Sequence, residues 1–269
     1  MAELLLELFS EEIPARMQAR AASDLARLIG AGLKAQGLEG KIGDAFAGPR
    51  RLTLVVADLP KKQPDTSDER KGPQVGAPDA AIQGFLRASG LKRIDDAEVR
   101  ELSKGKFYFA VTKKKGRATS VVVKEVIEAA LPQLPWPKSM RWADNPTRWV
   151  RPLHGILCLL EGKVVPVKFA GVKAGSLTKG HRFLAPKAIQ IKSYADYKVK
   201  LKKAFVMADP EERAQVIEDG LAKLAAKENL KIKKDPGLLA EVAGLIEWPV
   251  PLLGTIDSEF MDVPPEVLT

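Results

Sequence analysis

The chain has 269 residues, with 43 Lys and Arg against 34 Asp and Glu, and a formal net charge of +9. At 45% hydrophobic and 29% charged residues it has the balance of a globular protein and not of a disordered one. A single Cys and two His exclude an intrachain disulfide and the usual four-ligand zinc site, and no apolar run reaches membrane-spanning length.

The chain starts Met1-Ala2-Glu3-Leu4-Leu5-Leu6-Glu7-Leu8-Phe9, acidic where a signal or transit peptide would be basic, so a cytoplasmic protein is expected. The Leu4–Phe9 run reads as a strand buried on both faces. Pro14 suits the first turn of a helix, whose stripe is Met17, Ala21, Leu25, Leu28, Ile29 and Leu33, with Gly37 as its stop. Arg51–Ala57 returns as a strand.

Residues 60–77, with Pro60, Pro64, Gly72, Pro73 and Gly76 among charged side chains, read as a loop or linker. A short helix with Ile82, Phe85 and Leu86 stops at Gly90, and Phe107–Val111 is a strand. Lys113-Lys114-Lys115 beside Gly116 reads as a hairpin turn. Val122, Val123, Val126, Ile127, Ala130 and Leu131 form a second helical stripe, broken by Pro132, Pro135 and Pro137.

Ile156–Leu160, Glu161-Gly162 and Val164–Phe169 read as a β-hairpin, with Cys158 a buried thiol in its first strand. Asp209-Pro210-Glu211-Glu212 starts a capped helix, and a second helix covers about Pro236 to Ile246. Trp248–Gly254 is extended and confined to an edge by Pro249 and Pro251. The expected class is α+β, mixed sheets with packed helices, in two lobes.

Charge divides the chain into three stretches. Residues 1–60 form a strand-helix-strand unit with 7 basic and 8 acidic side chains. Residues 61–204, a basic α+β region, carry 30 against 13, and the acidic segment 205–269 carries 6 against 13. A basic block in a neutral-to-acidic chain is the mark of a polyanion-binding surface. The same lysines could equally keep a large surface solvated.

Recognisable catalytic motifs are missing. There is no phosphate loop and no G-x-S-x-G elbow, and Gly30-x-Gly32-x-x-Ala35 falls late in a helix, where it cannot cradle phosphate. Glu11-Glu12 and Glu211-Glu212 read as ordinary helix-start acids. Three of the four Trp lie among Lys138, Arg141, Arg148 and Arg151, in Pro135–Trp142 and Arg148–His154. Arg pairs bidentately with phosphate and Trp can stack on a base, or the Trp side chains fill a core beneath the arginines. Gly180-His181-Arg182-Phe183 and Pro49-Arg50-Arg51-Leu52 are further basic spots.

Taken in order, these clusters resemble the β-subunit family of bacterial heterotetrameric glycyl-tRNA synthetase. The matching stretches are Leu4–Ala15, Pro49–Leu52, Gly84-Phe85, Pro137–Trp142, Val150–His154, Gly180–Leu184, Ala208–Arg213, and Glu247–Pro249 through Pro264–Leu268. Here Gly155 follows His154, where the family often carries Trp.

The resemblance implies an N-terminal fragment of a ligase subunit, non-catalytic by itself and covering less than half of a family member. Such members continue into a helical region related to HD domains and an anticodon-binding domain. It implies an α subunit that holds the class II site and uses ATP and Mg, an α2β2 assembly, no cofactor on this fragment, and tRNA as partner. The expected tRNA contacts are Arg50, Arg51, Lys138, Arg141, Arg148, Arg151, His181 and Arg182. One alternative is a scaffold for the α subunit, built from the apolar N-terminal strand and the acidic C-terminal segment. Another is an independent hydrolase or editing module using His154 or Cys158.

Overall fold

A computed structural model describes residues 1–268, the side chains of Lys113, Pro265 and Leu268 aside. The larger of two compact units opens with β1 (Ala2–Ser10), α1 (Ala15–Ala35), β2 (Lys41–Ala47) and β3 (Arg51–Leu59). Residues 62–118 follow as a smaller, inserted unit: β4 (Thr66–Gln74), α2 (Asp79–Ser89), β5 (Glu98–Leu102) and β6 (Gly105–Lys114). The larger unit resumes with α3 (Thr119–Ala130), β7 (Leu153–Leu160), β8 (Lys163–Val164), β9 (Lys168–Phe169) and β10 (Val172–Gly175). It ends with β11 (Leu177–Lys179), β12 (Ala188–Gln190), α4 (Tyr194–Lys203), α5 (Pro210–Lys227), α6 (Pro236–Leu245) and α7 (Pro265–Leu268). The class is α+β. No helix among the described residues is long and apolar enough to cross a membrane.

The leucine run of β1 puts apolar side chains on both faces, and the fold answers by enclosing it. β1 lies between β3 and β7, antiparallel to both, in a sheet ordered β2-β3-β1-β7-β10-β9 with β8 against β7. Because strand side chains alternate, Leu4, Leu6 and Leu8 share one face with α1 (Leu25, Ile29, Leu33) and α3 (Val122, Ile127). Leu5 faces the other way, toward Val55, Leu157, and Tyr197 and Leu201 of α4. The expected two-sided burial is what the structure has. The apolar first strand is therefore central, and offers no surface to a partner.

Gly32, in the glycine pattern late in α1, has a packing role. A Cβ there would lie 2.6 Å from Val126 Cγ1, so its absence lets α1 approach α3. The β7–β8 hairpin turns on Glu161 (φ 50°) and Gly162 (φ 72°), both left-handed as a two-residue type I′ turn requires.

In the smaller unit the sheet order is β4-β6-β5. Half of the loop expected over 60–77 is a strand, paired from Thr66↔Lys114 to Gln74↔Phe107. Its prolines and charges fit because β4 is an edge strand, and Pro73 falls where the register shifts between Lys71 and Gln74. The Lys113–Lys115 run ends β6 instead of turning a hairpin.

In the larger unit, Thr119 N donates to Lys61 O at 3.1 Å, so the residues flanking the insertion are hydrogen-bonded neighbours. Charge divides the chain differently from compactness. The insertion carries 13 basic and 8 acidic side chains, whereas residues 119–204 carry 16 and 5.

The acidic end is helical and capped as its sequence predicts. Asp209 accepts from Glu211 N at 2.8 Å and Asp235 from Leu238 N at 2.9 Å. The stretch 248–254 pairs with no strand. Arg213 on α5 is buried, donating to the carbonyls of Ala243 (2.7 Å), Met207 (2.6 Å), Ala208 (2.9 Å) and Ala47 (3.3 Å). Burial pulls its pKa down to about 10, which leaves it charged at neutral pH.

Candidate nucleic-acid interface

The tryptophans of the basic region point inward. Trp149 is fully buried and meets Trp136 edge-on at 5.1 Å and Phe169 at 5.0 Å. Trp136 and Trp142 are half-buried against the same core. These rings are filling, not stacking platforms, and they hold the segment after α3 in place. A short antiparallel bridge locks its two arms: Met140 N donates to Trp149 O at 2.7 Å and Trp149 N to Met140 O at 3.1 Å.

The neighbouring cations lie on the outside of this segment. Lys138, Arg141 and Arg148 are exposed. Arg148 braces the bridge, with Nε to Ser139 Oγ at 3.1 Å and Nη2 to Ser139 O at 3.0 Å. Lys138 and Arg141 make no hydrogen bond or ion pair among the described residues. They are the available cations of this group.

A second group forms around one carboxylate that sequence reasoning passed over. Glu11 lies before α1, not in its first turn, and gathers three partners. His154 Nε2 is 2.8 Å from Glu11 Oε1, Arg50 Nη2 is 3.6 Å from the same oxygen, and Arg182 Nη2 donates to Oε2. Arg182 Nη1 also lies 3.6 Å from Glu12. Burial opposes ionisation of Glu11. The hydrogen bonds from His154 and Arg182, and the charges of Arg182 and Arg50, outweigh that and hold its pKa below the ordinary carboxylate value. Arg50 lies over the Phe9 ring at 4.6 Å and keeps a buried Nε without a partner. Burial, then repulsion from Arg182, lowers its pKa.

The two groups are joined through the chain. The run Arg148–His154 leads from one to the other, and Pro152 O accepts from Glu11 N at 3.0 Å on the way. Six residue steps bring the Cα atoms of Arg148 and His154 within about 22 Å of each other. Arg151, half-buried between them, donates to Val150 O at 3.0 Å.

Two sequence expectations change. Arg51 cannot serve as an RNA contact: at 2% exposure it is a core cation. Its Nη1 donates to Glu7 Oε2 (3.1 Å) and Thr178 Oγ1 (2.9 Å), its Nε to Glu247 Oε1 (2.9 Å) and its Nη2 to Lys179 O (2.7 Å). Burial disfavours its charge, but Glu7 and Glu247 override this and raise its pKa. Tyr197 OH donates to Glu7 Oε2 at 2.6 Å and completes the cluster. Arg50 and Arg51 look alike in sequence, but Arg51 enters β3 opposite Phe9 and is buried, whereas Arg50 precedes the strand. His181, second, is turned to its own loop, where Nδ1 accepts from Phe183 N (3.3 Å) and Leu184 N (3.2 Å).

Cys158 is fully buried in the core, and burial pushes its thiol up to about 12, so it is no nucleophile. His154 is bound to Glu11 instead. Among the described residues, no three His, Cys, Asp or Glu side chains are grouped to hold a metal ion.

Residues 4–269 match the family described as glycyl-tRNA synthetase beta subunit. Relatives named glycine–tRNA ligase beta subunit include those of Rhodospirillum centenum (51% identical), Paracoccus denitrificans (51%) and Ruegeria sp. (52%). In each case the whole of this chain aligns, and it spans 41%, 40% and 39% of the relative's length. With the family match over residues 4–269 and similarity along the whole chain, the chain belongs to the glycyl-tRNA synthetase beta subunit family.

Proposed function

We propose that this chain is the N-terminal region of a glycine–tRNA ligase β subunit and that it helps to capture and position tRNA for ATP-dependent glycylation. The observation that carries this reading is the set of exposed cations Lys138, Arg141 and Arg148 on a segment anchored by the buried Trp149. Phosphate contacts from such cations set register without reading sequence. Arg151, Arg182 and Arg50 extend the footprint, with His181 in support. In this reading the α subunit carries the ligation chemistry with ATP and Mg, the assembly is α2β2 in the cytoplasm, and no residue of this chain is assigned to a cofactor.

The test is a tRNA gel shift at two ionic strengths with the intact protein and its α partner. Lys138→Ala with Arg141→Ala is expected to weaken binding and to lower the salt slope by about one for each phosphate no longer neutralised. Unchanged affinity and slope in a folded double variant would sink the reading.

A second reading, a scaffold for the α subunit, is supported by apolar side chains exposed near the acidic end, among them Leu238, Leu245, Leu252 and Ile256. Its sign would be α-subunit binding without any effect on tRNA.

A further inference from the structure

Among the described residues, Phe183, Phe205 and Phe260 are the exposed aromatic rings. Phe183 is 80% exposed, the most exposed aromatic among the described residues, and Leu184 beside it is 55% exposed. It sits on the loop between β11 and β12.

That loop is held by its backbone. Gly180 has no room for a side chain: a Cβ would lie 2.4 Å from Ala185 O and 2.7 Å from Ala204 Cβ, pressing the base of the loop against the end of α4. His181 N donates to Ala204 O at 2.9 Å, and Ala185 N to His181 O at 3.0 Å. The His181 imidazole then takes the N–H groups of Phe183 and Leu184, which would otherwise be unpaired at the tip. The ring is thus presented at low entropic cost. Lys179 and Lys187 are exposed on the same loop and its flank, while Arg182 is paired with Glu11 and Glu12. No acidic residue lies between Lys179 and Lys187.

We propose that Phe183 is a stacking platform for an unpaired base of the bound RNA. This rests on the tRNA reading above and gives it a contact of different chemistry. RNA presents its unpaired bases in loops and at ends, where an aromatic face can take them regardless of sequence, while neighbouring cations hold the backbone. A protein pocket for Phe183 and Leu184 would have to take Lys179 and Lys187 at its rim. Stacking moves no counterions, so removing it has a signature distinct from that of removing a cation from a phosphate.

The experiment compares Phe183→Ala, Phe183→Trp and Arg141→Ala by tRNA titration at several salt concentrations, using the intact protein with its α partner. Phe183→Ala is expected to weaken binding about tenfold with the salt slope unchanged. Phe183→Trp should retain affinity, and its added fluorescence should be quenched by tRNA. If Phe183→Ala binds tRNA like the parent while Arg141→Ala is weakened, the stacking proposal is overturned and the tRNA reading survives. If neither variant changes binding, both fall. Loss of α-subunit binding by Phe183→Ala at unchanged tRNA affinity would make the tip a protein contact and overturn the proposal.

Discussion

Arg51 Nε donates to Glu247 Oε1 at 2.9 Å, joining residues 196 positions apart in a place almost closed to water. The pair pins the segment after α6 onto the central sheet, and Glu7 completes the triad from β1. Removing Arg51 leaves two buried carboxylates without a countercharge. Arg51→Ala is expected to cost about 3–5 kcal/mol of stability, read from urea unfolding. Arg51→Lys should recover only part of it, because one ammonium cannot reach Glu7, Glu247, Thr178 and Lys179 O together.

The Glu11 group predicts a pH effect of definite sign. Its folded pKa lies below the ordinary 4.5, so its contribution is present above that value and fades as pH falls through the lower, folded one. The stability difference between the parent and Glu11→Gln should therefore be largest near neutrality and vanish in acid. A difference that stayed constant from pH 7 to pH 3 would show that Glu11 is not the hub.

Arg213 acts through carbonyls instead of carboxylates. Arg213→Met would keep much of the volume but leave the oxygens of Ala47, Met207, Ala208 and Ala243 without this donor. A loss of about 3 kcal/mol or more is expected, with tRNA affinity of the folded protein preserved. Thermal unfolding together with the gel shift separates the two effects.

Cys158 should behave as core. At pH 8 its thiol, pushed up to about 12, should resist a disulfide reagent in the native protein and react once urea unfolds it. Rapid native labelling would contradict the burial.

Much of this fold was legible in the sequence wherever the pattern is local. The α1 and α3 stripes, the Asp209 cap and the Glu161-Gly162 turn each follow from a few adjacent residues. β4 was not legible because its residues are polar on both sides and owe their strand to pairing with β6. The candidate interface was half legible. The basic–aromatic clusters mark the region, but the burial of Arg51 and the gathering role of Glu11 depend on partners more than 100 residues away in the chain. The outward turn of Phe183 depends on how its loop is tied.

The position of β1 also bears on how the chain is made. Once β3 has emerged, β1 has one neighbour, and its second, β7, begins about 90 residues later. At about 5–20 residues per second, a ribosome leaves one border of the leucine strand bare for about 5–20 s, time in which the inserted unit can form. Nascent chains truncated before Leu153 therefore present an unpaired apolar strand, and are the species for which chaperones and aggregation would compete.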